Sequence, residues 1–123
     1  MDRVFLAVVG IAYLALAAWC SISPSRTSKS VGFELIPGAG QSEFLTVYGG
    51  LEVALGLAFL WGAYLPLETK HALSLCLIVH ACLVVFRSAG FLLFSGIPTT
   101  THSLAATEWV IFLGSAILCW RKT

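Results

Sequence analysis

The sequence predicts an all-α fold, a four-helix transmembrane bundle forming a single membrane domain. Three observations predict it. Hydrophobic residues make up 59% of the 123 residues and charged residues only 11%, against about 45–50% and 25% in soluble domains. The apolar residues gather into four runs, each near the roughly 20 residues that a helix needs to cross a bilayer. Nearly all the charges lie between those runs. The composition excludes a disordered chain, and a net charge of +1 gives no long-range attraction for nucleic acid.

The first span covers residues 4–22. It carries no charge, and Pro24 with the polar run after it brings the span to an end. The start Met1-Asp2-Arg3 is a poor positive flank for a secretory signal, so the run reads as a span rather than a cleaved leader. The second span covers residues 44–64 and is closed by Pro66. The third covers residues 71–94 and is closed by Ser95-Gly96-Ile97-Pro98. The fourth covers residues 102–120 and is closed by Arg121 and Lys122. The longest connection, residues 23–43, is too short to hold a soluble catalytic domain. Function therefore has to be built within the helices or at their rim. Apolar residues mixed with turn formers at 32–41 predict a lid over one end of the bundle.

Basic residues set the orientation. Arg3, Lys70, Arg121 and Lys122 fall on one side, and Arg26 and Lys29 on the other. The excess of Lys and Arg in cytoplasmic loops then predicts a multi-pass chain with both termini in the cytoplasm. Trp19, Trp61, Tyr64 and Trp120 lie near span ends, where amphipathic rings favour the interface.

Ten of the thirteen charged residues trace loops and borders. The other three are Glu52 in the second span, Arg87 in the third and Glu108 in the fourth. At 1.5 Å per residue each lies about 9–12 Å from the same membrane surface. Charges at such depth are costly, face the bundle interior and pair with one another. A planar guanidinium can bridge two carboxylates, so a Glu–Arg–Glu layer is expected, with a formal excess of −1 when both carboxylates ionise. Two roles stay open for it: a structural triad that fixes helix rotation, or a polar site for a proton or a ligand headgroup.

Helical stripes extend the layer. Tyr48 lies one turn from Glu52 on the same face. Cys76, His80 and Arg87 share a stripe of the third span. Ser115 lies seven residues beyond Glu108, so a polar track through His80 and Ser115 is an expectation. Tyr13, halfway along the first span, needs a partner for its hydroxyl and is placed to close the site. The candidate ligand- or proton-binding residues are thus Glu52, Arg87, Glu108, Tyr48, His80 and Tyr13. Gly50, Ala54, Ala58 and Gly62, with Gly49 beside them, form a small-residue stripe that lets a helix of this chain or of a second copy approach closely.

The four cysteines form no C-x-x-C pair and read as small apolar fillers. The three histidines lack metal-ligand spacing. No metal and no cofactor is assigned.

Tyr48-Gly49-Gly50-Leu51 with Gly56, Arg87 with Gly96-Ile97-Pro98, and Glu108 together resemble a family of small bacterial four-span proteins of unknown function. That family is similar to the wider DoxX-like superfamily. The resemblance covers roughly residues 5–120 and carries over Tyr48, Gly49, Gly50, Arg87 and Glu108; Glu52 is read from the residues alone. It implies a helical bundle in the bacterial inner (plasma) membrane. It also implies company: some relatives accompany quinone-linked redox enzymes, and sterol-pathway relatives serve as scaffolds.

The expected function is an accessory module, not an enzyme in its own right, that binds a small amphipathic ligand, lipid or quinone. The alternatives are a small proton-coupled transporter using Glu52 or Glu108, and a subunit of a quinone-linked redox system. The expected partners are the lipid bilayer, a hydrophobic small molecule or quinone, and a membrane protein or a second copy of the chain.

Overall fold

The computed structural model describes residues 1–121, so Lys122, counted above for orientation, lies outside the described residues. Among the described residues every regular element is helical, and four helices are long and apolar enough to cross a membrane. Helix α1 is Asp2–Ile22, α2 is the short Pro24–Ser30, α3 is Ala39–Tyr64, α4 is Thr69–Leu93 and α5 is Thr99–Trp120. The 21 residues of α1 reach about 32 Å, the thickness of a hydrocarbon core.

Helices α3, α4 and α5 each begin a few residues before the apolar runs that announced them. Their first turns are polar (residues 39–43 and 99–101), so they are helical without being hydrophobic. Span α3 is also not a regular α-helix throughout. Leu45–Leu51 winds as a π-helix, a rare form that collects at functional sites. The Gly49-Gly50 pair inside it is the least helix-favouring dipeptide of the span.

The breaks follow local chemistry. Ser23 leaves the helical region (φ −136°), and Pro24 starts α2 at the position where its missing N–H costs nothing. The Thr27 hydroxyl then lies 3.2 Å from the Trp19 carbonyl and 2.9 Å from that of Ser23. It serves carbonyls that the end of α1 leaves open and ties α2 to that end. At the other end of the bundle Arg3 donates from Nε to the Ala63 carbonyl (2.6 Å) and from Nη2 to that of Tyr64 (3.1 Å). A cation thus sits on the carbonyl end of α3. The Thr69 hydroxyl donates to the Gly62 carbonyl at 2.8 Å and joins the start of α4 to α3.

The bundle divides along its axis. The half that holds the start of α1 and the end of α5 is packed solid by Leu6, Val9, Phe59, Ala72, Leu73, Cys76 and Leu118. Helices α1 and α3 meet there through glycine. A Cβ on Gly10 would lie 2.9 Å from the Gly56 carbonyl oxygen, and one on Gly56 would lie 3.0 Å from that of Gly10. Gly62 is likewise buried, against Ala72 of α4, and Gly49 lies against Ser21.

Within the chain, the expected four-residue stripe does not pack as one face. Gly50 and Ala54 are exposed, and nothing lies within 4 Å of a Cβ placed on Gly50. The reason is geometric. Residues four apart drift about 40° per step on a 3.6-residue helix, so Gly50 and Gly62 end roughly 120° apart. Gly49 and Gly56, seven apart, stay on one face.

Candidate functional site

Beyond the Gly10–Gly56 crossing the packed core gives way to a cavity of about 310 Å³. Four helices and the α2 segment build its wall. Helix α1 contributes Tyr13 and Cys20, α3 contributes Tyr48 and Glu52, α4 contributes His80 and Arg87, and α5 contributes Thr107 and Glu108. All six residues singled out in the sequence therefore line one cavity. The remaining wall is mainly apolar, with Leu16, Phe44, Leu83, Leu104 and Ile111 among its residues.

The ion pair differs from the bridged triad expected. Arg87 donates from Nε to Oε2 of Glu108 (3.0 Å) and from Nη2 to Oε1 (2.5 Å). This two-point fork joins α4 to α5 and is the strong, directional form of the arginine–carboxylate pair. The Glu108 side chain is 13% exposed and that of Arg87 29%. Glu52 is not part of the fork. Its Oε2 is buried without a hydrogen-bond partner, and among the described residues no ion pair reaches it. Depth alone placed the three charges in one layer; the direction in which each side chain leaves its helix decided which carboxylate Arg87 holds.

His80 and Tyr13 form the floor of the cavity, above the packed half. His80 is 1% exposed. Its Nδ1 lies 2.8 Å from the Cys76 carbonyl one turn earlier. A carbonyl has no proton to give, so Nδ1–H is the donor. With Nδ1 protonated in the neutral ring, Nε2 accepts from the Tyr13 hydroxyl at 3.1 Å. Tyr13 also meets Phe59 edge-on, with ring centroids 5.4 Å apart. The expected polar track stops here. The Ser115 hydroxyl donates to the Phe112 carbonyl of its own helix (2.9 Å) and makes no link to His80.

This floor carries a stability prediction. Tyr13→Phe removes the hydroxyl that meets His80 Nε2 and leaves that buried nitrogen unmatched. The expected cost is about 1–3 kcal/mol, read as a lower unfolding midpoint in detergent micelles. An unchanged midpoint would show that the bond contributes nothing.

The cover is not quite the expected lid. Thr27 of α2 and Val31 line the cavity directly, upstream of most of the 32–41 segment. Of that segment, Phe33 touches the rings at the cavity's edge while remaining exposed itself. Its ring meets Phe44 and Tyr48 edge-on at 6.4 and 6.0 Å, while Phe44 and Tyr48 stack at 4.5 Å. Gly32 takes a positive φ of 91°, which lets the chain turn back over the bundle.

Arg87 and Leu83 also line a second, more open groove of about 690 Å³, together with Phe86, Gly90, Phe94 and Pro98. The Arg87 side chain thus stands between the enclosed cavity and the flank of the bundle.

Cys20 and Cys76 are buried free thiols, and among the described residues no cluster of three His, Cys, Asp or Glu could hold a metal ion. No family model, curated protein or solved structure matches this chain. The site is therefore read from its own geometry.

Proposed function

We propose that this chain is a membrane-embedded binding module, accessory rather than catalytic, for a small amphipathic molecule such as a lipid or a quinone. One observation carries the reading. Tyr13, Tyr48, Glu52, His80, Arg87 and Glu108, drawn from four helices, line one cavity whose remaining wall is mainly apolar. Such a combination, a few polar groups converging in an apolar hollow, is the usual make-up of a small-molecule site. The volume stands at the lower end of the roughly 300–1,000 Å³ typical of these sites and suits a headgroup with a short hydrophobic body. The solid half of the bundle supports a preformed site, because it holds the four helices at fixed spacing. His80 is occupied at both nitrogens, which favours binding over acid–base chemistry by the imidazole.

The resemblance to DoxX-like proteins and the distribution of basic residues support a place in the bacterial plasma membrane, with both termini in the cytoplasm. The resemblance also supports a role beside a membrane partner, with a quinone-linked system as one case. Proton-coupled transport is the second reading. Glu52 favours it, because an exchanging carboxyl has to stand outside an ion pair.

Native mass spectrometry of the gently solubilised protein tests the binding reading. The expected spectrum shows one small molecule retained per chain. Leu83→Trp, which adds bulk to the wall and removes no polar group, is expected to lose it. A chain that appears bare in both forms would contradict the reading. Transport instead requires substrate flux in proteoliposomes that collapses without a pH gradient and in Glu52→Gln.

A further inference from the structure

The charge on the wall points to the class of ligand. The titratable and charged groups that face the cavity are Tyr13 and Cys20 from α1, Tyr48 and Glu52 from α3, His80 and Arg87 from α4, and Glu108 from α5. His80 already meets the Cys76 carbonyl and the Tyr13 hydroxyl, so neither ring nitrogen is left for a ligand. Arg87 is committed through two hydrogen bonds to Glu108, and the two charges cancel. Glu52 is what remains: a carboxyl on the wall, with one oxygen buried and unpartnered. The rings of Tyr13, Trp19, Phe44 and Tyr48 share the cavity wall with it. Ring faces attract cations, and most strongly where water is excluded.

We infer that the cavity selects a monovalent organic cation with a short hydrophobic body, a protonated or quaternary amine, and that Glu52 is its counter-ion. This rests on the binding reading above and gives it a charge. An anion of the same shape would find no free positive charge on this wall and would be repelled by Glu52 whenever that carboxyl ionises. A neutral molecule would offer the carboxyl no counter-charge, so the group would stay in its uncharged, protonated form and add no charge attraction. A cation matches it, and its hydrophobic body finds Leu16, Leu83, Leu104 and Ile111.

The test compares three molecules with one body and three charges: phenylbutylamine, phenylbutanol and phenylbutyrate. Binding is measured by calorimetry to the full chain in lipid nanodiscs, with empty nanodiscs subtracted. The amine is expected to bind about tenfold or more tighter than the alcohol, and the acid weakest. Glu52→Gln is expected to remove that preference and leave alcohol binding in place. Glu52→Asp, which keeps the charge, is expected to retain it; this guards against a Gln variant that merely folds badly. Equal binding of amine and alcohol by the wild-type chain would overturn the cation assignment and leave the binding reading standing. A preference for the amine that survives in Glu52→Gln would overturn the role of Glu52. Failure of all three molecules to bind would overturn both the assignment and the reading beneath it.

Discussion

Arg87→Ala is expected to destabilise the bundle by up to about 3–5 kcal/mol, the cost of removing one partner from a fully buried ion pair, this pair being part-buried. The loss comes less from the missing attraction than from what stays behind. Glu108, with its side chain 13% exposed, would keep a charge with no cation to meet it, and Glu52 would add a second carboxylate to the same wall. Unfolding midpoints in detergent micelles read the effect. Arg87→Lys is expected to recover only part of it, because an ammonium cannot reproduce the two-point fork. The double variant Arg87→Met with Glu108→Leu is expected to recover most of it, since well-packed apolar residues can replace a buried pair at little cost. A double variant as unstable as Arg87→Ala would show that the fork fixes the α4–α5 geometry in a way that packing cannot.

Gly10→Val is expected to cost a further large amount, about 1–3 kcal/mol or more for overfilling a tight contact. A Cβ at Gly10 would stand 2.8 Å from Leu60 Cγ and 2.9 Å from the Gly56 carbonyl oxygen. The second of these atoms is backbone, so α1 and α3 would have to move apart. Gly50→Ala supplies the contrast. Nothing lies within 4 Å of its added methyl group, so stability should hold or rise, by up to about 1 kcal/mol from helix propensity. The reverse order would restore the Gly50–Gly62 stripe as the packing face within the chain.

Part of this architecture is legible in the residues alone. The four spans were legible because hydrocarbon demands long uncharged runs. Their starts were not, because the polar first turns at Ala39 and Thr99 are helical without being hydrophobic. Glu52, Arg87 and Glu108 were legible as interior because charge on a lipid-facing surface is costly. Which carboxylate takes the arginine was not legible, since depth along a helix says nothing of side-chain direction. The π-helical turn at Leu45–Leu51 left only a glycine pair as its signal. Arg3 was counted for orientation only. Its bonds to the carbonyls of Ala63 and Tyr64 join residues far apart in sequence and leave no local pattern. His80 and Tyr13 stood out as polar groups needing partners, and each is the other's partner.

On the binding proposal, amphipathic molecules occupy the cavity between the four helices rather than the lipid-facing surface. Photolabelling with a diazirine-bearing phenylalkylamine, followed by peptide mapping, tests it most directly. Label is expected to concentrate at Tyr48, Glu52, Leu83 and Ile111 on the cavity wall and to be suppressed by excess unlabelled phenylbutylamine. Label spread over outward residues such as Leu57 and Val110, with no suppression, would contradict it.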